Sequence, residues 1–123
     1  MKLQKIDHLV LLVKDLERTE KFYSYFLGEP IDKNDFQVAY KIGDTKIFFA
    51  NPGNQNSPVF DKENLGLNHL AFHVASLEEL KAWGEILNKS AIKNSGIQID
   101  KYGDREFIWF DDPDGIRLEF YLR

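Results

Sequence analysis

Cysteine is absent from the 123 residues, which excludes disulfides, thiolate metal ligands and thiol nucleophiles together. No run approaches the roughly 20 apolar residues of a membrane-spanning helix. The first residues lack the basic, apolar and small-residue succession of a secretory leader, so a cytoplasmic location is expected. Charge of one sign is not concentrated either: 16 Lys and Arg face 20 Asp and Glu, for a formal net charge of −4, and the signs are interspersed. That distribution offers no electrostatic footprint for nucleic acid or an anionic membrane, and a small molecule is the expected partner. What the chain does have is 43% hydrophobic residues, enough for one core in a single domain of this length.

The chain also repeats itself. His8-Leu9-Val10-Leu11-Leu12-Val13-Lys14-Asp15-Leu16-Glu17 returns 61 residues later as His69-Leu70-Ala71-Phe72-His73-Val74-Ala75-Ser76-Leu77-Glu78, an offset of half the length. Residues 5–13 alternate as a strand. A helix is expected from Asp15, whose carboxylate can accept the first free N–H groups, to Gly28, which supplies the left-handed stop. Leu16, Thr19, Phe22, Tyr23 and Phe26 fall on its inner face. Gln37–Ile42 and Thr45–Ala50 flank Gly43-Asp44 as a hairpin, with a short strand near Pro30–Asp32. The second half repeats the order. Asn68–Ala75 reads as a strand, and Ser76 and Glu79 form a capping box for a helix burying Leu77, Leu80, Trp83 and Leu87. Ile97–Tyr102 and Glu106–Phe110 follow as strands, and Asp111-Asp112-Pro113-Asp114-Gly115 turns into Ile116–Leu122.

Between the halves, Asn51 to Gly66 holds two prolines, two glycines and four asparagines without any period. It reads as a linker, long enough that a binding loop is as good a reading as a tether. The expectation is one domain over 1–123, with module one at about 1–52, a linker at about 53–66 and module two at about 67–123. Each module is βαβββ, and the α+β whole is a curved, eight-stranded mixed sheet with helices outside.

Strand alternation places His8 with Val10 and Leu12, His69 with Ala71 and His73, and Glu119 with Arg117 and Tyr121. Aligning Gly43-Asp44-Thr45-Lys46-Ile47-Phe48-Phe49 with Asp114-Gly115-Ile116-Arg117-Leu118-Glu119-Phe120 sets Phe48 opposite Glu119. A pseudo-symmetric site thus offers His8, His69 and Glu119, with an apolar fourth quadrant. Two imidazoles and a carboxylate suit an open Fe²⁺, Mn²⁺, Zn²⁺, Ni²⁺ or Co²⁺ centre. The plainer alternative satisfies each histidine with a backbone carbonyl and pairs Glu119 with Arg117 or a lysine. His73 and Tyr121 are candidate proton-moving residues, or lining groups that only orient a ligand. Phe48, Phe107, Trp109 and Arg117 are candidate pocket residues, the aromatics alternatively being core.

His8-Leu9 with Asp15-Leu16 and Phe22-Tyr23…Leu27-Gly28, then Leu67-Asn68-His69-Leu70-Ala71-Phe72-His73-Val74, then Asp112-Pro113-Asp114-Gly115-Ile116-Arg117-Leu118-Glu119-Phe120 together resemble the vicinal-oxygen-chelate superfamily, the glyoxalase, bleomycin-resistance and dioxygenase group. The resemblance implies paired βαβββ modules, a metal held by His8, His69 and Glu119, and substrates that chelate through neighbouring oxygens. Phe48 stands where glyoxalase I and methylmalonyl-CoA epimerase have a fourth protein ligand, which weakens an isomerase of their type. The three-ligand set instead resembles extradiol dioxygenases and the fosfomycin-resistance thiol transferases. The former are usually longer, and the potassium loop and cationic cradle of the latter are not found, Arg105 and Arg117 being the only arginines near the expected site.

The expected function is therefore a divalent-metal-dependent lyase, isomerase or extradiol-type dioxygenase acting on a small oxygen-chelating molecule, in a homodimer. The rivals are a metal-free, drug-sequestering protein of bleomycin-resistance type and an inactive relative kept as an interaction module.

Overall fold

Each helix begins where a side chain satisfies the first free N–H groups. Asp15 accepts from Arg18 N at 3.1 Å and starts α1, Leu16–Leu27. Ser76 accepts from Glu79 N at 3.2 Å and starts α2, Leu77–Lys89. Glu79 closes the box one residue early, taking the N–H of Ala75 at 3.3 Å. Gly28, at φ +79°, ends α1 in the region where a Cβ is costly.

The computed structural model describes residues 1–54 and 56–123; Gln55, inside the expected linker, lies outside the described residues. The chain divides into two compact units, Met1–Pro58 and Val59–Arg123. The first contains β1 (His8–Leu12), α1, β2 (Asp32–Lys33), β3 (Gln37–Ile42) and β4 (Thr45–Ala50); the second contains β5 (Leu70–Val74), α2, β6 (Gln98–Ile99), β7 (Glu106–Asp111) and β8 (Arg117–Leu122). The architecture is α+β, and the same βαβββ order occurs twice.

Each unit builds one four-stranded mixed sheet, in the orders β1-β4-β3-β2 and β5-β8-β7-β6. The first strand of each lies parallel to the last, Val10 against Phe48 and Ala71 against Glu119. The first strands of the two units match at an offset of 61 residues and the last strands at 71, the second unit having ten more residues between them.

One face of each sheet carries the helix and the core. Val13, Tyr23, Val38, Tyr40, Ile47 and Phe49 are buried in the first unit, and Leu80, Leu87, Ile108, Phe110, Leu118 and Phe120 in the second. Trp83 lies over Phe120 at 5.2 Å. Along β8 the buried Leu118, Phe120 and Leu122 alternate with half-buried Arg117, Glu119 and Tyr121, the latter set facing away from α2.

The strand expected over Ile97–Tyr102 stops at Ile99. Asp100 turns the chain by accepting Tyr102 N at 2.9 Å, while its carbonyl accepts Gly103 N and Asp104 N at 3.2 and 2.8 Å. The chain returns to ladder pairing at Glu106, opposite Ile99.

Candidate metal and substrate site

The outward faces of β5, β7 and β8 share one register. His73 lies opposite Tyr121, Tyr121 opposite Phe107, and Glu119 opposite both Ala71 and Trp109. His69 immediately precedes β5, two residues before Ala71 on the same face. These strands and the loop after β6 enclose a cavity of about 450 Å³ lined by His69, His73, Glu119, Tyr121, Phe107, Asp100, Tyr102 and Arg123, among others. That volume suits a small organic ligand.

Within it, His69 Nε2 faces Glu119 Oε1 at 3.6 Å. His69 Nδ1 lies 2.8 Å from Asn68 Oδ1. The amide oxygen can only accept, so this contact assigns the ring proton to Nδ1 and the lone pair to Nε2. With Nδ1 donating, Nε2 is the ring atom turned toward the carboxylate oxygen, and a cation, either a proton or a metal ion, fits between them. Burial lifts the Glu119 carboxyl above its ordinary 4.5 and Asp100 pushes the same way, while His69 and Arg117 oppose. The donor set of one imidazole nitrogen and one poorly solvated carboxylate fits a divalent transition metal.

The other unit repeats the arrangement without the carboxylate. His8 Nδ1 lies 2.8 Å from Asp7 Oδ2, and this contact holds Asp7 below its usual 3.8. Phe48 meets the His8 ring edge-on at 5.7 Å. Both histidines are therefore held through Nδ1 by the preceding side chain, leaving Nε2 available. Among the described residues no three His, Asp or Glu side chains gather into a metal-holding group. His8 belongs to the first unit and the His69–Glu119 pair to the second.

The remaining candidates separate. His73 Nε2 lies 3.3 Å from the Arg123 carbonyl and so carries the proton, which leaves Nδ1 as an acceptor. Tyr121 donates to Asp100 Oδ2 at 2.5 Å and stacks on Phe107 at 6.0 Å. Arg117 lies 3.9 Å over the Trp109 ring and bonds Asp111 at 2.6 Å, so its charge is already matched.

Asp100, Tyr102 and Arg123 line the cavity without having been singled out from the sequence. The first two sit in an irregular turn with no period to mark them. The expectation that Arg105 and Arg117 are the only arginines near the site is corrected by Arg123, which lines the cavity and continues the Glu119, Tyr121 alternation by one step. Asp7 and Asn68 did carry a signal, since both precede the histidines at the repeat offset.

The chain is 32% identical to the protein YwkD of Bacillus subtilis, with 98% of each covered. It is 28% identical to the metallothiol transferase FosB of Lysinibacillus sphaericus, covering 98% of this chain and 84% of that protein. The structure superposes on a glyoxalase family protein from Enterococcus faecalis with a TM-score of 0.80 at 27% identity, covering 98% of this chain and 99% of the other. The family model of the glyoxalase/bleomycin resistance protein/dioxygenase superfamily matches residues 5–120, and the chain belongs to that superfamily.

Proposed function

We propose that the protein is a cytoplasmic, homodimeric metalloenzyme acting on a small substrate that chelates through neighbouring oxygens, with His8, His69 and Glu119 as the metal ligands. The observation that carries this reading is the His69 Nε2 lone pair facing Glu119 at 3.6 Å while Nδ1 is tied to Asn68. The matched tie of His8 to Asp7 and the metallothiol transferase among the relatives support it. A divalent cation supplies Lewis acidity and open positions for substrate oxygens.

The chain's own groups do the rest. Glu119 and the two imidazoles would hold the ion, the carboxylate offsetting part of its charge. His73, with Nε2 donated to a carbonyl, keeps Nδ1 to accept a proton from the substrate, and Tyr121 offers its hydroxyl next to Asp100 for the reverse transfer. Phe107 forms an apolar wall that excludes water from one side of the cavity. Lyase or isomerase chemistry needs only these proton movements; extradiol-type dioxygen insertion is the oxidative alternative within the same ligand set.

Metal analysis of protein purified without chelator tests the reading. About one divalent ion per chain is expected in wild type, with large losses in His8→Ala and Glu119→Ala. Failure to bind any of Fe²⁺, Mn²⁺, Ni²⁺ or Zn²⁺ after their addition overturns the reading in favour of a metal-free sequestering protein. Oxygen uptake with catechols only in the Fe²⁺ form selects the dioxygenase branch.

A further inference from the structure

Arg123 has unspent donors in the same cavity. Among the described residues its guanidinium makes no ion pair or hydrogen bond; its contact is with the Tyr121 ring, Cζ lying 4.6 Å from the centroid. The neighbouring arginines differ, Arg117 being paired with Asp111 and Arg105 bonded through Nε to the Leu122 carbonyl at 3.4 Å. Stacking on an aromatic ring restrains a planar guanidinium while leaving its N–H edge open.

The cavity also contains an anion, Asp100, but its oxygens are already engaged. Oδ2 accepts from Tyr121 at 2.5 Å and Oδ1 from Tyr102 N at 2.9 Å. Arg123 contributes to holding the Asp100 carboxyl down, but it acts from a distance and makes no ion pair or hydrogen bond with it, so its N–H donors are left for a partner.

The geometry points to Arg123 as the residue that selects a substrate bearing a carboxylate at the end remote from its chelating oxygens. This deepens, and rests on, the metalloenzyme reading. Glu119 and Arg123 are four residues apart on the β8 course, so their Cα atoms are separated by roughly 13 Å at strand rise. The Tyr121 ring, packed on Phe107, lies between them. The pocket thus offers a metal-holding end, an aromatic middle and a cationic end, and the fitting ligand is an elongated molecule with a planar apolar body and one terminal carboxylate. A guanidinium's paired donors match a carboxylate better than a neutral amide, whose N–H₂ would meet another donor.

The test uses the full-length chain, freed of metal, and two probes that lack chelating oxygens: 3-phenylpropanoate and 3-phenylpropanamide, titrated by amide NMR shifts. Wild type is expected to prefer the acid by about tenfold, the scale of a hydrogen bond to a charged group. Arg123→Gln should bring the two affinities together, and Arg123→Lys should restore part of the preference. Equal affinity for the probes in wild type, binding of neither, or an undiminished preference in Arg123→Gln overturns the assignment. Calorimetry with Zn²⁺ on the same proteins keeps the two readings separate. Normal metal binding without acid preference removes the Arg123 assignment alone, whereas acid preference without metal binding removes the metalloenzyme reading and leaves the anion site standing.

Discussion

Asn68 does not line the cavity, yet it decides which nitrogen of His69 is turned toward Glu119, and Asp7 holds the His8 ring in the same way within its own unit. An Nδ1 contact of 2.8 Å in each case fixes ring orientation and tautomer before any ligand arrives. Replacing Asn68 with Ala removes that restraint and lets the proton distribute between Nδ1 and Nε2 and the χ2 angle of His69 relax. Zn²⁺ affinity measured by calorimetry is expected to fall about tenfold or more, within the range for lost outer contacts to a ligating histidine. Asn68→Asp, which retains an acceptor and adds charge, should keep the affinity. Equal Zn²⁺ affinity in wild type and Asn68→Ala would show that the contact orients nothing. The residues proposed as ligands stand out in the sequence because the repeat matches His8 with His69 and sets Glu119 against Phe48. The reason those histidines are usable was less legible: an Asp or Asn before a histidine is a common pair, and its meaning emerges only when the ring and the side chain turn toward each other.

The turn between β6 and β7 works as one element because Gly103, Asp100 and Tyr121 share a space that admits no extra carbon. A Cβ on Gly103 would stand 2.6 Å from the Tyr121 hydroxyl and 3.3 Å from Asp100 Oδ2. Gly103→Ala is thus expected to push the phenol off Asp100, since the hydroxyl is the end of a side chain and the turn backbone is held by Asp100 bonds. Tyr121→Phe removes the same bond directly. Thermal unfolding should show each variant less stable than wild type and the double variant little worse than either, the signature of a shared interaction; additive losses would mean that Gly103 serves some other contact. The bond also has a pH signature. Donation from Tyr121, with the backbone N–H groups of Tyr102 and Gly103, holds Asp100 below its ordinary 3.8. Between that lowered value and 3.8 the folded state binds fewer protons than the unfolded state, so the stabilisation is present above 3.8 and is lost as pH falls through the lowered value. The stability gap between wild type and Tyr121→Phe should be flat from neutrality to about pH 4 and close below it. A gap that persists unchanged into strong acid would assign the effect of Tyr121 to packing on Phe107. None of this could be read from the chain, because Ile97–Tyr102 alternates like a strand and only the Asp100 turn shows where the alternation stops mattering. The regular elements were legible for the opposite reason. Capping residues and buried stripes are local, and Asp15, Ser76, Leu80 and Leu87 act through neighbours three or four residues away.

At the scale of the whole molecule, the apolar surface left in water argues for assembly. On the His8 face of β1, Val10 and Leu12 are 56% and 58% exposed, although a strand in a folded sheet normally covers such side chains on at least one partner. β1 is also the end strand of its sheet, with one row of backbone groups unpaired within that sheet, and it lacks the lysines or prolines that commonly blunt an exposed edge. A second copy is the partner always present at the protein's own concentration, and closed twofold pairing is the commonest way for a small domain to cover such a surface. Light scattering at micromolar concentration is therefore expected to give twice the 14.4 kDa of one chain. Val10→Asp combined with Leu12→Asp should halve that mass while leaving the far-UV circular dichroism unchanged, because both side chains lie outside the cores built around Tyr23, Phe49, Leu80 and Phe110. A wild-type mass of one chain, or a double variant that stays paired, would remove β1 as the assembling surface.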